Sequence, residues 1–154
     1  MTAIEQTVEE LRSAVINAEA TVPTISSWSV GEHIHHCCLS MIGISKSLRK
    51  STPPAPRAKP TIARAAVLYF GFIPRGRAKS PSFIVPKPAM VEEELRATLD
   101  QPAELLAMAH VLDRGTWFTH PLMGPMDRDQ ALKFVLVHNR HHLKIVADIL
   151  KQQR

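Results

Sequence analysis

DRDQALKFVLVHNRHHLKIVADILKQ, residues 127–152, is the stretch on which the fold turns. Asp127 followed three residues later by Gln130 is a capping box. The carboxylate can satisfy one free backbone N–H of the first turn, and the amide reaches back to another. The helix it opens is predicted to run to about Gln152. At about 100° per residue, Ala131, Phe134, Val135, Ile145 and Ile149 all fall within about 60° of His138, and His142 lies about 40° from it. Two imidazoles therefore ride on the core-facing stripe of an amphipathic helix. A buried polar group without a partner costs about 1–3 kcal/mol, so this pair needs an explanation. Two His one turn apart can close on one metal ion through their ring nitrogens, the i, i+4 geometry that zinc sites use on helices. His141 lies about 60° from His138 on the other side and is expected to bond outward or line a cavity rim.

A second His-rich run, Glu32-His33-Ile34-His35-His36, lies in a helix predicted to begin near Val30 and end at about Lys50. Ser29 with Glu32 caps its start, and Ser51-Thr-Pro-Pro stops it. Its apolar stripe is Ile34, Cys37, Met41, Ile44 and Leu48. A third imidazole from this helix would complete a set of three and leave a metal position open for water or substrate, the catalytic rather than the structural arrangement. His33 lies about 60° from the stripe and His36 about 120°, so periodicity alone leaves the choice open and leans to His33. His35 points farthest away and is expected to be exposed.

Working outward, residues 3–18 predict a first helix, with Thr2 and Glu5 as its capping box and Ile4, Val8, Leu11, Val15 and Ala18 as its stripe. Residues 51–89 hold eight prolines and one short apolar helix candidate, Ile62 to Phe72. Long irregular connections are uncommon in compact domains, so this crossover is expected to be packed or functional. Residues 90–112 predict another helix, with Val91, Leu95, Leu99, Leu106 and Ala109 in period and Pro102 kinking or splitting it. Residues 113–126 predict a turn-rich loop, and no alternating run marks a strand. His120 lies in that loop, placed either to fix it by a hydrogen bond or to act beside a metal as an acid or base. His110, late in its helix, is expected at the surface or on the C-terminal dipole. Four long helices and a short insert make an all-α bundle in a single domain, residues 1–154.

The chain has 154 residues, 45% hydrophobic and 21% charged, with a net charge of +5. This is globular composition and argues against global disorder. No run of about 18 apolar residues marks a membrane span, and the acidic, polar start does not read as a signal peptide. The charge is uneven. Between Lys46 and Pro88 there are ten Lys or Arg and no Asp or Glu. A solvated basic connection, or local binding of an anionic ligand, explains this better than nucleic-acid recognition, because no recognition motif accompanies it. The two cysteines, Cys37 and Cys38, are neighbours on one helix and are expected as small apolar core or flank residues without a disulfide, in a reducing cytoplasm.

Trp28-Ser29-Val30-Gly31-Glu32 with a His eight residues after the Trp, and His138-x-x-His141-His142 near the C-terminus, together resemble the DinB-like superfamily. The segment His120-Pro-Leu-Met-Gly-Pro before the last helix resembles one branch of it in particular. The likeness spans about residues 25–145. It implies a four-helix bundle, up-up-down-down, with residues 51–89 as the long crossover. It also implies a divalent metal held by one His of the second helix and two of the last. By position these are His36, His138 and His142, so the resemblance selects His36 where the wheel favours His33. Some relatives are metal-dependent transferases or isomerases that use a low-molecular-weight thiol.

Two features depart from the family pattern. His33 and His35 stand where apolar or small residues are common, and Leu143-Lys144-Ile145 follows the last His in place of a polar Gly-Gln. Two functions are expected from residues and resemblance together. One is a Zn²⁺-, Ni²⁺-, Mn²⁺- or Fe²⁺-dependent enzyme, a thiol-dependent transferase or isomerase or a hydrolase, acting on a small molecule. The other is a non-catalytic, metal-stabilised interaction domain with a basic docking segment. A homodimer is expected from relatives and from the apolar 62–73 segment.

Overall fold

Three helices begin where their capping boxes place them. In the computed structural model, which describes residues 1–76 and 81–153 and the side chains of these except 103–106 and 108, Thr2, Ser29 and Asp127 each accept from the backbone N–H three residues on. The acidic or amide side chain at that third position bonds back to the cap in each case. These boxes open α1 (Ala3–Ala14), α2 (Val30–Lys50) and α5 (Arg128–Gln152). The end of the first predicted helix tightens into a 3-10 turn, Val15–Asn17, with its apolar stripe buried as expected.

Between α2 and α5 lie α3 (Ile62–Leu68), a 3-10 turn (Ser82–Ile84), α4 (Glu92–Ala109) and a two-stranded hairpin, β1 (Trp117–His120) and β2 (Gly124–Asp127). The principal pairings are α2 with α4 and α5, and α1 with α5 and α4. The architecture is all-α apart from the hairpin. Gly31 permits the close approach of α2 to the end of the first helical segment. Its N–H donates to the Ala18 carbonyl at 2.8 Å, and a Cβ there would stand 3.1 Å from that same oxygen. A buried polar link joins α5 to α1: Asn139 Nδ2 donates to Thr7 Oγ1 at 3.0 Å.

Several expectations change. The crossover helix stops at Leu68 rather than Phe72, because Gly71 takes φ +62° and the N–H groups of Gly71 and Phe72 turn back to the Val67 and Ala66 carbonyls. α4 is one helix through Pro102, so of the expected kink or split the split does not occur, and it starts after Val91, which is exposed. Leu95, Leu99 and Ala109 are buried as predicted, whereas the Leu106 side chain lies outside the described residues.

Residues 113–126 are not only loop. β1 and β2 pair antiparallel, and the facing Phe118 and Met126 are buried. Strands of four residues are too short to show an alternation that sequence reading can separate from a loop. The basic crossover is also less free than its composition implies. Arg64 donates to the Met123 and Pro125 carbonyls and to Gln130, Arg75 pairs with Asp148 and Lys87 with Glu94. Arg77 and Lys79 lie outside the described residues. Among the described residues, no helix is long and apolar enough to cross a membrane.

Candidate metal centre

The centre lies in the seam where α2 meets α5. α5 is amphipathic, with Lys133, Arg140, Lys144 and Asp148 exposed and Phe134, Val135, His138, His142, Ile145 and Ile149 buried. Its wheel therefore aims His138 and His142 inward, and their ring centroids stand 4.6 Å apart. From α2, His36 meets both, at 5.0 Å from His138 and 4.7 Å from His142. His36, His138 and His142 are all buried, and each offers one ring nitrogen in a group lying within 4.8 Å of one another.

The protons on these rings are partly determined by their partners. His36 Nδ1 is 2.8 Å from the Ile84 carbonyl, which can only accept, so Nδ1 carries the hydrogen and Nε2 carries the lone pair. That Nε2 faces His138 Nε2 at 3.1 Å. A metal with nitrogens at about 2.0–2.1 Å in tetrahedral array would hold them about 3.3 Å apart. The donor set fits a divalent first-row cation: three imidazoles, one already turned to present its lone pair, with a backbone carbonyl behind it as metal-ligating His usually have.

Burial keeps these rings uncharged. Desolvation drives the His138 and His142 pKa values well below the usual imidazole value, reinforced by the neighbouring His side chains. The His36 pKa is lowered by the same cause, opposed by its bond to Ile84. Neutral imidazole is the form that ligates.

The remaining candidates divide. His33 is buried but outside the three-nitrogen group. Its Nδ1 lies 2.9 Å from His142 Nδ1, and its Nε2 lies 2.9 Å from Ser26 Oγ. Burial lowers its pKa to about 4. His35 is half-buried rather than exposed, because the crossover returns over it and Lys87 N–H donates to its Nδ1 at 2.9 Å. His141 is half-buried and stands edge-on to His142, with the Ile73 backbone beside it. His120 accepts at Nδ1 from Leu122 N–H, which fixes the loop, and its ring packs edge-on against Phe134, itself 5.4 Å from His138. His110 is exposed just beyond α4. Cys37 and Cys38 are buried free thiols, and desolvation pushes Cys38 up to about 12, far from a thiolate ligand.

Three contributors were not legible in the sequence as parts of a site: Ser26, the Ile84 carbonyl, and Trp28 as a packing surface. The indole lies 4.9 Å from His36, 5.4 Å from His33 and 6.3 Å from His142, nearly parallel to the last. A backbone carbonyl carries no residue-type signal, so Ile84 could not have been found by composition.

The sequence profile of the DinB superfamily matches residues 2–146, and the chain belongs to that superfamily. No curated protein and no solved structure matches it.

Proposed function

We propose that the protein is a divalent-metal-dependent enzyme of the thiol-dependent transferase or isomerase type, or a hydrolase, with His36, His138 and His142 as its ligands. The observation that carries this reading is the convergence of three buried, neutral imidazoles from two helices, with the His36 lone pair already oriented by Ile84. Three protein nitrogens leave coordination positions for a thiol or water, whose pKa a bound Zn²⁺, Ni²⁺, Mn²⁺ or Fe²⁺ lowers toward neutrality. The chain's own residues do the rest. Trp28 walls the rings on one side, the 3-10 turn at Ser82–Ile84 closes over His36, and burial holds the imidazoles unprotonated. Two free, buried cysteines fit a reducing cytoplasmic setting.

The second reading is a metal-stabilised interaction domain, in which the cation ties α2 to α5 without chemistry. It is favoured by the acid–base inventory. Glu32, the carboxylate adjacent to the His run of α2, is committed to its own helix cap. Elemental analysis of purified protein, repeated on His138→Ala and His142→Ala, tests the metal; wild-type protein with no bound first-row metal overturns both readings. Assay of the metal-loaded protein with thiol-dependent transfer and hydrolysis substrates separates the two.

A homodimer is part of the proposal, with the exposed Ile62, Tyr69, Phe70 and Phe72 of the crossover as its apolar contact. Light scattering at high concentration should give twice the chain mass, and a monomer there removes it.

A further inference from the structure

His33 has no place in the three-ligand group, yet it is buried on α2 with both ring nitrogens engaged. Its role follows from counting protons, and rests on the metal-centre reading above. A neutral imidazole has one N–H and one lone pair. His142 has its Nδ1 2.9 Å from His33 Nδ1, so one of the two must donate and the other accept. If His142 offers Nε2 to a cation, its hydrogen sits on Nδ1 and is donated to His33. His33 then accepts at Nδ1 and carries its own hydrogen on Nε2, 2.9 Å from Ser26 Oγ, which accepts it. Ser26 Oγ also accepts from Trp28 N–H at 3.1 Å, which holds the hydroxyl in place. Run in the opposite sense, the same contacts put a hydrogen on His142 Nε2, and that nitrogen then has no lone pair for a cation.

We infer that His33, held by Ser26, is a positioning residue that accepts from His142 Nδ1–H and so presents the His142 Nε2 lone pair to the metal. It does for His142 what the Ile84 carbonyl does for His36, with one difference. A carbonyl can only accept, whereas the His33–Ser26 pair can run either way and is committed to one sense when a cation binds. Such outer partners of metal-ligating His typically contribute about ten- to hundredfold in affinity.

Cobalt(II) is a suitable probe, because its affinity follows from chelator competition and its visible d–d bands report ligand geometry without any assay of activity. His33→Phe keeps the ring volume and removes the acceptor. It should weaken Co²⁺ about ten- to hundredfold and shift the bands. His33→Asn restores an acceptor oxygen near the Nδ1 position and should recover most of the affinity and the wild-type spectrum. Ser26→Ala, at a half-buried site that tolerates loss of a hydroxyl, should weaken Co²⁺ about threefold and serves if His33→Phe does not fold. Melting of the metal-free variants separates loss of the fold from loss of positioning. Wild-type affinity and bands in His33→Phe overturn the inference, as does His33→Asn falling as far as His33→Phe. Unchanged affinity in Ser26→Ala overturns it where that variant stands in. Wild-type protein that takes up no Co²⁺ overturns instead the metal-centre reading on which it stands.

Discussion

α2 and α5 each carry a cluster of histidines, and a helical wheel describes one and misdescribes the other. α5 has a solvent side: Lys133, Arg140, Lys144, Ala147 and Asp148 are exposed, and the opposite stripe holds His138 and His142. α2 has none over most of its length. No residue from Val30 to Ser45 is exposed, because α4, α5, β1 and the crossover cover it on different sides. A wheel finds the centre of an apolar stripe and treats everything far from it as solvated. On α2 that logic puts His36 and His35 outside. In fact His36 is buried under Ile84, and His35 is half-buried under Lys87. Angular distance from a stripe measures exposure only for a helix that has an outside.

This difference can be pressed experimentally. The largest expected effect is shared by both helices. His138→Ala and His142→Ala on α5, and His36→Ala on α2, should each take bound metal from about one ion per chain to near none in dialysed protein. If His36→Ala keeps its metal while His33→Ala loses it, the wheel was right about α2 and the present assignment is wrong.

The next effect is on pH. In the unfolded chain imidazoles take up protons near 6.5, whereas burial holds those of His33 and His120 off to about 4 in the folded protein. Between these values the unfolded state binds more protons, so the stability of metal-free protein falls as pH is lowered from about 7 toward 4. Above about 6.5 these groups contribute no pH dependence. At about 1.4 kcal/mol per pKa unit the total loss should reach several kcal/mol. Urea midpoints of chelator-treated protein that stay level from pH 7 to 4.5 would contradict it.

The smallest effect belongs to the residue that the wheel placed farthest outside. His35→Ala should leave metal content unchanged and cost about 1 kcal/mol, the net worth of one hydrogen bond. Its signature is faster hydrogen exchange at the Lys87 amide, which now donates to His35. Loss of metal in His35→Ala would mean that the crossover anchor governs the centre itself.

Much of this molecule is encoded locally. The three capping boxes, the stripe of α1, the inward placement of His138 and His142 and the stop after Lys50 all depend on residues within a turn or two of each other. Helical period and side-chain capping act at that range, so they are readable without knowing any neighbour. The short hairpin at residues 117–127 escaped because its two strands stabilise each other and neither shows a pattern alone. The choice between His33 and His36 was beyond periodicity for a related reason, and came instead from family likeness.

Which face of α2 is covered, which carbonyl orders His36, and which ring stands behind His142 are settled by chain segments far away in sequence: Ile84, α4 and α5. The sequence by itself determined where the three capped helices start and that two imidazoles on α5 enter the core. Only the tertiary structure decided how His36 comes to be buried against them and, through the Ile84 carbonyl, which of its nitrogens carries the proton. Hydrogen-bond direction depends on the partner's chemistry, and the partner is known only once the chain has closed on itself.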